Sequence, residues 1–176
     1  MSDPDLRSLI RDIPDFPAPG IVFKDITPLL LDPAALDAAI GELAAWARPR
    51  AIDLVVAAEA RGFILGAALA RELGAGFVPA RKPGKLPSQT VSAEYVLEYG
   101  VDALEMHADA LADGARVLLH DDLLATGGTA RAVCDLVERA GAQVAGCAFV
   151  VELVFLEGRK QLGEYDVRSL VRFEEE

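Results

Sequence analysis

The sequence predicts an α/β protein with a central parallel sheet flanked by helices. Three observations predict it. Asp53 to Ala58 is an apolar run, a helical stretch from about Phe63 to Leu73 ends at Gly74, and a second short apolar run spans Gly76 to Ala80. This strand, helix, strand order implies parallel strands joined by right-handed crossovers. Val117, Leu118 and Leu119 form an unbroken apolar run, as in a strand covered on both faces. A Gly/Thr-rich turn follows. Then Val133, Leu136 and Val137 recur at helical spacing between Thr129 and Arg139, with Gly141 placed to cap the end. Finally, Val144 to Val154 is a long, mostly apolar strand region.

The remaining elements are read in chain order. Ser2 or Asp3 is placed to cap a short helix with Pro4 at its first position. Residues 13–20 hold three prolines, and each restricts the residue before it, so this stretch is expected to be extended. Residues 21–28 mix apolar and charged positions in a short strand or loop. Asp32 caps, and Pro33 starts, a helix with Leu36, Ile40 and Leu43 on one stripe, ended by Pro49. Tyr95, Leu97 and Tyr99 alternate with Glu94, Val96 and Glu98, and residues 101–107 can pair back across Tyr99-Gly100. That is a hairpin pattern, read as a mobile flap able to close over a site. Residues 165–173 are expected to form an edge strand. One domain is the default for 176 residues, with an N-terminal arm over 1–32 and a flexible loop and hairpin over 82–107.

Composition narrows the function classes. Hydrophobic residues make up 52%, enough for a single core. A net charge of −11 opposes broad binding to nucleic acid or anionic membranes. A polyanionic substrate would then need a local basic island. No apolar run reaches the roughly 18 residues of a membrane span, and the N-terminus lacks a signal-peptide pattern. The two cysteines, Cys134 and Cys147, lie in apolar contexts and read as reduced thiols of a cytoplasmic protein. His107 is read as solvated and His120 as packed. Glu152 sits in an apolar run and needs a partner, either in a binding pocket or as a structural pair.

Three stretches carry candidate chemistry. Asp121 and Asp122 stand together after the buried strand, followed by Leu123, Leu124, Ala125, Thr126, Gly127, Gly128 and Thr129. Ionised carboxylates only accept hydrogen bonds and suit the paired hydroxyls of a ribose. The glycines allow close backbone approach, and the free N–H groups of the following helix favour an anion. The layout fits a sugar bearing a terminal phosphate, and equally a turn whose aspartates cap the helix. Glu59-Ala60-Arg61-Gly62 places a guanidinium at the carboxyl end of a strand, where open α/β sheets bind ligands. An Arg61–Glu59 surface pair is the alternative there. Arg81, Lys82 and Lys85 form the basic island, suited to a pyrophosphate leaving group or to a solvated positive turn. Neither GxxxxGK[ST] nor GxGxxG occurs.

The run Asp121 to Thr129 resembles the phosphoribosyl pyrophosphate (PRPP) signature of the type I phosphoribosyltransferases. Its Leu-Leu-Ala-Thr-Gly-Gly-Thr wording is most similar to the adenine phosphoribosyltransferase family. Three further segments agree in order: Ile13 to Pro28, Glu59 to Phe63, and Tyr95 to Gly100 with its Leu-Glu-Tyr-Gly core. The resemblance implies the type I phosphoribosyltransferase fold, with the N-terminal arm as a hood. It implies adenine salvage, in which adenine and PRPP give AMP and pyrophosphate with Mg²⁺ bound mainly through substrate oxygens and water. It implies Asp121 and Asp122 on the ribose, and Ala125, Thr126, Gly127, Gly128 and Thr129 on the 5′-phosphate. Arg61, Arg81, Lys82 and Lys85 would contact pyrophosphate. Val22, Phe23, Lys24 and Leu123 would contact the base, Glu98 would act in proton transfer, and Tyr99 would position the closed loop. Lys24 stands where many members carry arginine. A homodimer is also implied, with no nucleic-acid partner. The alternatives are a transferase for another purine base, or a non-catalytic PRPP-sensing module.

Overall fold

The computed structural model describes residues 4–97 and 100–175. The expected α/β architecture is present. Five parallel strands form the central sheet: β3 (Leu54–Ala58), β4 (Gly76–Ala80), β7 (Arg116–Leu124), β8 (Gln143–Leu153) and β9 (Val167–Phe173). Their spatial order is β4-β3-β7-β8-β9, with β9 at an edge. The chain therefore builds outward from β3 in one direction and from β7 in the other. The switch point falls between β3 and β7, and ligands of open α/β sheets bind beyond the carboxyl ends of strands at such a point.

Helices cover both faces. In β3 and β7 successive residues point to opposite sides. Val56, Val117 and Leu119 join a core with α4 (Gly128–Arg139). Val55 and Leu118 join a core with α2 (Pro33–Ala47) and α3 (Gly62–Leu73). All five are essentially inaccessible to water, which accounts for their unbroken apolar wording. Asp32 caps α2 by accepting from the Ala34 and Ala35 amides, both at 2.9 Å. Gly74 ends α3 at φ +68°, a left-handed conformation that glycine adopts without penalty.

The arm differs from the sequence expectation. The first turn is a 3₁₀ turn, Leu6–Leu9, capped by Asp5; Ser2 and Asp3 lie outside the described residues. Residues 13–20 are not extended throughout. Strand β1 (Arg11–Pro14) pairs antiparallel with β2 (Val22–Asp25), and the chain reverses between them with Asp15 at φ +56°. The Asp15 carboxylate accepts from the Gly20 amide at 2.8 Å, and the Phe16 amide donates to the Ile21 carbonyl, closing the loop. A short helix not expected from the sequence, α1 (Thr27–Leu31), follows; the Asp25 carboxylate accepts from the Thr27 amide at 2.9 Å.

Strands β5 (Thr90–Leu97) and β6 (Gly100–His107) form the expected hairpin. Ala93, Leu104 and Met106 are buried in the same core as α4. The base of the hairpin is thus packed like the rest of the domain. His107 is half-buried with Nε2 enclosed, rather than solvated. The stretch after β8 forms two 3₁₀ turns, Val154–Leu156 and Gly158–Leu162.

Candidate active site

A cavity of about 260 Å³ lies at the switch point. It is lined by the Glu59–Arg61 tip after β3, by Lys82, Tyr95 and Leu104, and by every residue from Asp121 to Ala130. The sequence-predicted ribose, phosphate and tip segments therefore meet in one place, although Arg61 and Asp122 are 61 positions apart.

Strand β7 runs past the acidic pair to Leu124, because β8 continues to pair with it: Asp121 lies opposite Phe149 and Leu124 opposite Glu152. The pair is thereby held on rigid backbone. The two carboxyls differ. Asp122 is almost fully buried, and one of its oxygens lies 2.5 Å from the Arg61 Nε. Burial pushes Asp121 well above the usual carboxylate range, and the negative charge of Asp122 beside it adds to the shift. Asp121 is thereby harder to ionise than an ordinary carboxyl, and one of its oxygens accepts from the Asp122 amide at 2.9 Å.

After Leu124 the chain turns at Gly127, whose φ of +86° favours glycine, and α4 begins at Gly128. The amides of the first turn have no intrahelical partner and face the cavity mouth with the positive end of the helix dipole. Gly158 supports this loop from behind. A Cβ there would lie 2.2 Å from the Ala125 carbonyl oxygen and 3.1 Å from the Gly127 nitrogen. Gly62 plays a similar part at the acidic pair, where a Cβ would meet an Asp121 carboxylate oxygen at 2.9 Å. Gly62 is legible as a turn residue, whereas Gly158 carries no sequence signal.

The cations are held by carboxylates other than those nearest in sequence. Arg61 pairs with Asp122, not with Glu59, and its guanidinium carbon lies 5.0 Å from the centroid of the Phe23 ring. Phe23 also meets Phe16 edge-on, at 5.2 Å between centroids. The tip residue and the arm are thus in direct contact. Glu59 receives both Nε and Nη2 of Arg81 at 3.1 Å, and the Lys82 amide at 3.0 Å. The Arg81 hydrogen bonds hold the Glu59 carboxyl below its usual range, and the Lys82 amide adds to this. Lys82 pairs with Asp102 and donates to the Tyr95 hydroxyl at 3.1 Å. Glu59, Tyr95 and Asp102 were not among the expected site residues.

Other expected residues sit as follows. Lys85 is exposed and outside the cavity lining; its backbone carbonyl accepts from Arg81. The Lys24 side chain is buried on the opposite side of β2 from Phe23, paired with Asp12 at 2.8 Å and 4.5 Å from the centroid of the Phe173 ring. Only its backbone is available to a base. Val22 is half-buried on β2, and Leu123 is half-buried in the cavity wall. Glu98 and Tyr99 lie outside the described residues. Glu152 does not line the cavity; it is buried and pairs with Arg159 at 2.6 Å and Arg172 at 3.5 Å.

The sequence matches the phosphoribosyl transferase domain family over residues 30–173. It is 58% identical over 169 residues to an adenine phosphoribosyltransferase of Rubrobacter xylanophilus, covering 96% of this chain and 91% of that one. The chain belongs to the adenine phosphoribosyltransferase family. Solved structures of the family agree. The Thermoanaerobacter pseudethanolicus adenine phosphoribosyltransferase is 55% identical, with a TM-score of 0.94 over 96% of this chain and 98% of that one. The Giardia lamblia enzyme, complexed with 9-deazaadenine, is 41% identical with a TM-score of 0.93, over 99% of each chain. The adenine phosphoribosyltransferase relationship thus extends over the arm as well as the sheet.

Proposed function

We propose that this chain transfers the phosphoribosyl group of PRPP to adenine, giving AMP and pyrophosphate. The observation that carries the reading is the cavity in which the acidic pair, the Gly-rich loop at the start of α4 and the Arg61 tip converge. Family membership supports adenine as the base.

The residues divide the work. The Asp121 and Asp122 carboxyls bind the ribose hydroxyls. The Ala125–Thr129 amides and hydroxyls hold the 5′-phosphate. Together they fix the sugar at both ends, so that the anomeric carbon faces the incoming base. As its bond to pyrophosphate breaks, negative charge grows on the departing oxygens, and Arg61, Arg81, Lys82 and Lys85 are the cations assigned to it. Phe23 covers the base, the Val22 and Lys24 backbones read its edge, and Leu123 closes the pocket. Glu98 handles the proton at the purine or the leaving group, with Tyr99 positioning the loop. Mg²⁺ fits this site through hard oxygen donors. By family resemblance the ion is assigned chiefly to substrate oxygens and water near the acidic pair. When bound, it neutralises the pyrophosphate charge.

The same reading assigns a cytoplasmic homodimer. No helix among the described residues is long and apolar enough to cross a membrane. Cys134 and Cys147 are buried free thiols with sulfurs 3.9 Å apart. The test is a PRPP- and Mg²⁺-dependent assay with adenine, hypoxanthine, guanine and orotate side by side. Turnover of adenine alone is expected, and Glu98→Ala should lower turnover more than PRPP affinity. Turnover of another base would overturn the base assignment. PRPP binding without turnover of any base would favour a sensing module. Light scattering showing only an 18.7 kDa monomer would overturn the dimer.

A further inference from the structure

The hairpin carries a polar pair that the proposed chemistry does not use, and one member, Tyr95, lines the cavity. Tyr95 on β5 and Asp102 on β6 are directly opposite each other in register. The Tyr95 hydroxyl donates to Asp102 Oδ2 at 3.2 Å. Lys82, from the loop after β4, closes a triangle with them: its ammonium pairs with the same Oδ2 and donates to the Tyr95 hydroxyl at 3.1 Å. The other Asp102 oxygen accepts from the Ala103 amide at 2.8 Å, which fixes the carboxylate plane. Tyr95 is 8% exposed and packs in the same core as α4, so the triangle rests on a buried side chain.

We propose that Asp102 and Tyr95 are positioning residues that aim the Lys82 ammonium at the pyrophosphate end of the cavity. This rests on the function proposed above. An ammonium has three N–H donors. Two are taken by the triangle, and one is left for a ligand oxygen. A lysine side chain has many accessible rotamers when free. The triangle restrains that freedom before the ligand arrives, so less is lost on binding. It also links the position of the hairpin to that of a pyrophosphate-binding cation, since Lys82 and Tyr95 both line the cavity.

A double-mutant cycle tests the proposal with Asp102→Asn, Lys82→Met and the double variant. Asp102→Asn should raise the KM for PRPP about five-fold, with the KM for adenine and kcat changed less than two-fold. The double variant should match Lys82→Met alone, because Asp102 acts only through Lys82. Multiplying effects would show Asp102 to be a structural residue of the hairpin and overturn the proposal, as would an unchanged KM in Asp102→Asn. Tyr95→Phe provides a second arm if Asp102→Asn fails to fold. It should give a smaller rise in the same KM, again abolished in the Lys82→Met background; a rise that persists there would overturn the proposal. An inactive wild type would sink the function reading separately. The same cycle is then read as pyrophosphate affinity by calorimetry, where coupling upholds the positioning role and its absence refutes it.

Discussion

Gly158→Ala tests whether the phosphate loop depends on its neighbour in the turn after β8. The added Cβ would sit 2.2 Å from the Ala125 carbonyl oxygen and 3.0 Å from a Leu124 methyl, whereas ordinary contact begins near 3.4 Å. The overlap with backbone is about 1.2 Å, and it cannot be relieved by turning a side chain. Either the 3₁₀ turn or the loop must move by a comparable amount. Overpacking of this kind costs about 1–3 kcal/mol of stability. For a chain of this length that lowers Tm by roughly 2–4 °C per kcal/mol. A misplacement of about 1 Å at a binding loop costs about 100-fold in rate, or ~2.7 kcal/mol at the transition state. The expected result is therefore a fall in kcat/KM for PRPP of about two orders of magnitude, with a modest loss of Tm. Initial-rate kinetics in both substrates and a thermal melt measure it. If kcat/KM stays within three-fold of wild type while Tm drops, the turn serves the fold alone, and its proposed support of the phosphate loop is wrong.

Two further predictions follow from burial and charge. Asp122→Asn removes the charge partner of Arg61 and should raise the KM for PRPP about ten-fold or more, whereas Asp121→Asn leaves that ion pair in place and should cost about three-fold or less; steady-state kinetics showing the reverse order would refute the importance of the Arg61–Asp122 pair to the site. His120 is fully buried, with neither ring nitrogen in a good hydrogen bond and only a weak approach to the Ala148 backbone, and burial pushes it down to about 4 from 6.5. Its folded pKa is depressed, so the associated stability is complete above about pH 6.5 and is lost as the pH falls towards 4, by about 3 kcal/mol in all. Denaturant melts across that range should show a smaller decline for His120→Leu than for wild type, and parallel declines would exclude His120 as the source.

The core of the fold was legible because buried parallel strands spell themselves out. Residues 53–80 and 115–141 alternate apolar runs with helical stripes closed by Gly74 and Gly141, and both units form as read. The short helix Thr27–Leu31 was not legible; five residues hold too little periodicity, and Pro28 reads equally as a loop. The bend at Asp15 escaped because proline restrictions describe each residue singly, whereas the reversal is stabilised by strand pairing across the turn. At the site, motifs identified the chain segments but not the pairing of charges. Sequence proximity suggested Arg61 with Glu59. Folding brings β7 beside β3 instead and gives Arg61 to Asp122 and Glu59 to Arg81. Gly158 was invisible for the same reason, since close approach of two backbone segments leaves no periodic trace.

The pairing of Arg61, Arg81 and Lys82 with Asp122, Glu59 and Asp102 has a consequence for discrimination among anions. A cluster of bare cations would attract chloride, sulfate and inorganic phosphate indiscriminately, and common cellular salts would compete with substrate. Here each cation already has an internal counter-ion, so a small anion gains little by entering. It can reach at most one or two of the three. A ligand long enough to engage several cations at once through their remaining N–H donors, and carrying hydroxyls for the acidic pair, gains contacts along the whole site. The internal ion pairs thus favour ligands of greater length and charge, because each cation is partly neutralised before any ligand arrives.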